Sequence, residues 1–126
     1  MEENTISGII VEAVLRVHRE LGPGLYENIY EAALFLELTE GYNLKVEKQV
    51  PISAFYRETD LGIAFRADLV VEEKVIIELK SVENIQKVHA KQLQTYLRLT
   101  GLKLGLLINC NETLIKNGIT RIVNGL

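Results

Sequence analysis

Asp68, Glu78 and Lys80 are the residues of this chain whose types and spacing could do chemistry. They lie in the stretch Phe65 to Lys80, FRADLVVEEKVIIELK, which reads as two β-strands joined by a tight turn near Glu72, Glu73 and Lys74. Residues two apart on a strand share a face, so Glu78 and Lys80 stand together while Ile77 and Leu79 point the other way. If the hairpin pairs through that turn, Asp68 falls close to Glu78 across the ladder. Two carboxylates beside one ammonium are costly among Val, Ile and Leu, because buried charge must be paired or bound to a metal. A hard divalent cation meets that cost: Mg²⁺, with Mn²⁺ as an alternative, takes oxygen ligands and is held by one or two carboxylates together with waters and substrate phosphates. Lys80 would orient or deprotonate an attacking water and offset charge building on a phosphate. The same spacing fits a cross-strand salt bridge on an exposed sheet face, and residue types alone leave both readings open.

The elements that must position these groups are legible in the hydrophobic pattern. Ile6, Ile9, Ile10, Ala13, Val14, Val17 and Leu21 recur at helical spacing, which predicts a helix over about Thr5 to Leu21, capped by Asn4 or Thr5 and ended by Gly22, Pro23 and Gly24. A second helix is expected from about Tyr26 to Glu40, stopped by Gly41. Glu27, Tyr30 and Glu31 share one of its faces; a glutamate in a first turn also has a plain reading as a partner of the macrodipole, and Tyr30 as a packing residue. His18, near the end of the first helix, can serve the opposite pole.

From Leu44 the period changes to two: Leu44, Val46, Val50 and Ile52 mark a half-exposed strand, with Pro51 indicating an edge or bulge. A turn around Glu58, Thr59 and Asp60 leads to a strand over Leu61 to Val71, then one over Val75 to Lys80, an antiparallel meander. A third helix follows from about Ile85 to Thr100. LKLGLLIN, a continuous apolar run but for Lys103 and its final Asn109, predicts an internal strand parallel to a neighbour. Asn111 to Gly118 reads as a loop and ITRIV as the last strand. On the third helix His89, Gln92 and Tyr96 form one stripe and Ala90, Leu93 and Leu97 the buried one. Gln92 can hold a phosphate or a base edge without carrying charge; a solvated polar face with Tyr96 half buried is the bland alternative. Lys87 and Lys91 on this helix face phosphates or water. The order ααβββαββ predicts one α/β domain over residues 1–126, a mixed central sheet flanked by helices on both faces.

The Asp68…Glu78-x-Lys80 core resembles that of the PD-(D/E)XK nuclease superfamily, and four blocks around it, LGPGLYENIYEAAL at 21–34, FRADLVV, VIIELKSVENI and HAKQLQTYLRLTGLKLGLLIN, resemble its GxxExxY proteins, in family order from about Ile6 to Val123. The resemblance implies a restriction-endonuclease-like core. It implies that Glu27, matching a carboxylate supplied by a helix before the sheet in RecB-like nucleases, binds metal with Asp68, Glu78 and the Leu79 carbonyl. Lys80 then assists the water, and Gln92 and Tyr96, matching the Gln and Tyr that follow the catalytic Lys in RecB-like relatives, place the substrate. His18 is a second-tier candidate on the same grounds, since a His precedes the metal-binding strands in several relatives; Tyr30, Glu31 and His89 stand with it. Cys110 departs from the family, which more often has an aromatic there.

Composition narrows the class. With 126 residues, 48% apolar and 25% charged, the chain is a globular domain of ordinary core size, and no apolar run approaches a membrane span. The start, MEENTISG, lacks a basic n-region and a long apolar h-region, which predicts a cytoplasmic protein. One cysteine forms no internal disulfide and supplies no thiolate cage. The net charge of −3 gives no reason by itself to expect nucleic acid, yet residues 1–44 balance to −6 and residues 80–126 to +5, so the basic stretch begins at the candidate site. The expected function is a Mg²⁺-dependent nuclease hydrolysing phosphodiester bonds of DNA or a related nucleic acid. The alternative is a non-catalytic nuclease-fold module for binding or assembly, completed by a homodimer or a partner protein.

Overall fold

The computed structural model describes Met1–Leu126. α1 spans Glu3–Leu21 and buries Ile6, Ile10, Ala13 and Val14 along one stripe. It starts two residues before the expected Thr5, with Glu2 in the cap position and no side-chain cap. Neither Asn4 nor Thr5 caps it; the Asn4 Oδ1 instead accepts a hydrogen bond from Arg121, which removes it from capping work. Gly22, at φ 71°, ends the helix by donating its N–H to the His18 carbonyl at 2.8 Å. α2 covers Glu27–Leu36 and then widens into a π-helical turn, Glu37–Gly41, where one helix through Glu40 was expected. The widened turn carries Leu38 fully into the core.

Five strands follow the expected plan with shifted ends. β1 (Val46–Tyr56), β2 (Thr59–Val71) and β3 (Val75–Lys80) form the antiparallel meander. The first hairpin turns on Arg57 and Glu58, at φ 51° and 66°, so Thr59 and Asp60 belong to β2 and not to the turn. α3 (Lys87–Thr100) crosses over to β4 (Leu104–Asn109), which lies parallel to β3 and is buried along its whole length; β5 (Ile119–Val123) closes the sheet antiparallel to β4. The sheet order is β1-β2-β3-β4-β5, with Pro51 on the β1 edge.

One core lies between the sheet and α1 with α2, built on Leu69, Val71, Ile77, Leu79, Leu106 and Ile108. A second lies between the sheet and α3, built on Phe65, Ala67, Val70, Ile76, Leu93 and Leu97. β1 and β2 serve both: Val46, Leu69 and Val71 pack on the first side, Val50, Ile52, Phe65 and Ala67 on the second. The strands swap faces where Gln49 meets Asp68, between the pairs Lys48↔Leu69 and Val50↔Ala67. The single-phase alternation expected for β1 therefore breaks at its centre, beside the candidate site.

Candidate active site

β3 delivers Glu78 and Lys80 to the face covered by α3, while its Ile77 and Leu79 enter the opposite core. Pairing with β2 runs regularly through Leu69↔Ile77 and stops there. Beyond it the two carboxylates take over the ladder. The Asp68 Oδ2 accepts the Leu79 N–H at 2.8 Å, and the Glu78 Oε1 accepts the Asp68 N–H at 3.3 Å. Each acid thus ties down the backbone of the other strand, which holds both carboxylates in one place as the hairpin reading required.

Glu78 is only 9% exposed. Burial, and after it the negative charge of Asp68, push its carboxyl up to about 8, against the smaller opposing pull of the Asp68 amide and Lys80. Lys80 takes part in none of the chain's three salt bridges, so its ammonium stands near Glu78 without being locked to it. The cross-strand salt bridge on an exposed face does not form.

α2 brings two more acids to the edge of this pair. The Glu27 Oε1 accepts the Ser81 N–H at 3.2 Å, just past the end of β3, and its charge acts on Glu78. One helical turn on, the Glu31 Oε1 accepts a hydrogen bond from the Gln49 amide at 2.6 Å, and the same Gln49 Nε2 reaches the Asp68 Oδ1 at 3.2 Å. Burial raises the Glu31 carboxyl above its usual range, with the Gln49 hydrogen bond opposing and the Asp68 charge adding to the rise. Glu27, Glu78, Asp68 and Glu31 thus run in sequence past the end of β3, although no three His, Cys, Asp or Glu side chains stand close enough together to cage an ion.

α3 covers the pair from the other side. Tyr96 stacks on Phe65 with ring centroids 3.4 Å apart and planes 7° from parallel. Burial raises its phenol, and the charges of Glu78 and Asp68 add to the rise, so the phenol lies within the field of the acids. Gln92, one turn earlier, is exposed on the same helix.

The remaining candidates have other surroundings. Tyr30 donates its hydroxyl to the Gly22 carbonyl at 2.5 Å and accepts the Leu25 N–H at 3.1 Å, which pins the glycine turn leading to Glu27. His89 accepts the Gln86 N–H on Nδ1 at 3.0 Å and so caps α3. His18 does not reach the acids. It lines a small, mostly apolar pocket with Val14, Leu34, Leu79 and Cys110, its Nε2 buried without a partner. Burial pushes the Cys110 thiol up to about 12, consistent with an inert packing residue.

Gln49 and Phe65 were not singled out from the sequence. A signal for Gln49 existed: Lys48 occupies an apolar phase of the alternation Leu44, Val46, Val50, Ile52, which marks a break in the strand.

The donor set fits a hard divalent cation. It offers carboxylate oxygens and a backbone carbonyl at Leu79, no thiolate and no imidazole, and a carboxyl whose burial, and then its neighbour's charge, make ionisation costly without a cation.

No curated protein matches the chain. Among solved structures, the crystal structure of SSO0001 is similar in fold, with a TM-score of 0.54 and 24% identity over 79% of this chain; the chain spans 50% of that one. The family model described as the PD-(D/E)XK nuclease superfamily, whose members generally use divalent metal ions, matches residues 4–122. With that match over nearly its whole length, and with Asp68, Glu78 and Lys80 gathered at one end of the central hairpin, the chain belongs to the PD-(D/E)XK nuclease superfamily.

Proposed function

We propose that this chain is a Mg²⁺-dependent nuclease that hydrolyses phosphodiester bonds of DNA. The observation that carries the reading is the crossed pair of carboxylates, Asp68 and Glu78, the second nearly buried, with its carboxyl pushed up to about 8 by that burial and then by the charge of the first. Asp68, Glu78 and the Leu79 carbonyl would hold the cation, with Glu27 able to join by leaving the Ser81 amide. When bound, such a cation lowers the pKa of its water and offsets charge on the phosphate. Lys80, free of any ion pair, orients the attacking water from the same face of β3 and donates toward the phosphate oxygens. Tyr96 offers a phenol fixed by its stack on Phe65, and Gln92, one turn earlier on α3, offers an uncharged donor and acceptor. Mn²⁺ would replace Mg²⁺ at the same oxygens.

The test is cleavage of linear, circular and single-stranded DNA by the purified chain in Mg²⁺. We expect wild type to cut at least one substrate, and Asp68→Asn and Lys80→Ala each to lose roughly a hundredfold or more. Cleavage that survives in both variants overturns the assignment. Binding without cleavage in wild type would favour the non-catalytic module.

A further inference from the structure

Gln49 is the only non-glycine residue with positive φ inside a strand, at 49°; the other five lie in turns or connections. An L side chain in that region is strained, and such strain persists only where its surroundings enforce it. The passage of β1 from one core to the other calls for a backbone turn here, but the Gln49 side chain itself is exposed and belongs to neither core. Its side chain does something else. The single Nε2 places one hydrogen on the Asp68 Oδ1 at 3.2 Å and the other on the Glu31 Oε1 at 2.6 Å. Between two carboxylates only the NH₂ end of the amide fits, which fixes its orientation. With the Leu79 N–H on Oδ2 at 2.8 Å, both oxygens of Asp68 are then anchored, one by β3 and one by β1.

We propose that Gln49 is a positioning residue for Asp68: the strained turn of β1 aims its amide so that the Asp68 carboxylate is held in one rotamer and braced, through Glu31, against α2. The chemistry explains the residue type. A Lys or Arg in this place would neutralise the acids and compete with a cation, whereas an amide donates twice and cancels no charge. Asparagine tolerates the same backbone but is one methylene too short to reach both acids. This inference rests on the metal-site reading of Asp68 and Glu78, and it extends that reading to β1 and Glu31.

The test uses the full chain with Gln49→Gly and Gln49→Asn. Glycine removes the side chain and relieves the backbone strain, so its fold is not at risk. We expect the thermal midpoint of Gln49→Gly to stay level or rise. In the metal-free protein the Leu79 amide resonance should shift upfield as Asp68 gains rotational freedom, and Mn²⁺ affinity, followed by EPR, should fall roughly tenfold or more. Gln49→Asn should recover part of both. A Leu79 resonance and a Mn²⁺ affinity unchanged in Gln49→Gly overturn the proposal while leaving the metal site standing. Absence of Mn²⁺ binding in every protein, wild type included, overturns the site reading and the proposal together.

Discussion

Glu78 is buried beside a second carboxylate, and this has a measurable effect in the metal-free protein. Its carboxyl titrates near 8 in the folded state and near 4.5 when exposed. Folding therefore takes up a proton between those values, so Glu78 makes stability fall as pH rises from about 4.5 to about 8, with no further change outside that window. We expect Glu78→Gln to flatten that part of the pH profile and to be more stable than wild type by a few kcal/mol at pH 8.5, read by denaturant unfolding in EDTA. A profile as steep in the variant as in wild type would show that Glu78 is not the group responsible. The spacing of Glu78 and Lys80 was enough to put them on one face, because strand periodicity is fixed by backbone geometry. The pairing of Asp68 with the Leu79 amide was not readable, because it depends on where the regular ladder stops.

At the scale of elements, the site depends on a turn and a close approach. Tyr30 holds the Gly22–Leu25 turn with two hydrogen bonds, and that turn sets where α2 begins and hence where Glu27 points. Tyr30→Phe should cost about 1 to 2 kcal/mol and lower cleavage, while Tyr96→Phe, which keeps the stacked ring, should leave stability nearly unchanged. On the other side, a Cβ at Gly105 would lie 2.9 Å from the Leu93 Cδ1, so β4 admits α3 only because this position is glycine. Gly105→Ala should destabilise by about 1 to 3 kcal/mol and disturb the Tyr96 stack on Phe65, visible in near-ultraviolet circular dichroism. The helices and strands themselves were legible from periodicity, down to the parallel, fully buried β4. The π-helical turn at Glu37–Gly41 and the face swap at Gln49 were not, since each answers a tertiary demand: one carries Leu38 into the core, the other turns β1 from one core to the next.

For the whole molecule, charge asymmetry matters more than the net value of −3. No helix is long and apolar enough to cross a membrane. The exposed face of α3 carries Lys87, Lys91 and Arg98, on the same helix as Gln92 and Tyr96. If DNA lies along this face, Lys87→Glu with Lys91→Glu should weaken DNA binding and reduce the slope of log affinity against log salt by about 2, at roughly 0.9 for each phosphate left without its lysine, with Mn²⁺ binding untouched. An unchanged slope would move the DNA path off α3. The central claim, that Asp68 and Glu78 form a divalent-cation site, is tested most directly by anomalous diffraction from crystals of the full chain soaked in Mn²⁺. We expect a peak about 2.0 to 2.3 Å from a carboxylate oxygen of each residue and from the Leu79 carbonyl. A soaked crystal with no peak between Asp68 and Glu78, or with ordered Mn²⁺ only at other surface acids, would contradict it.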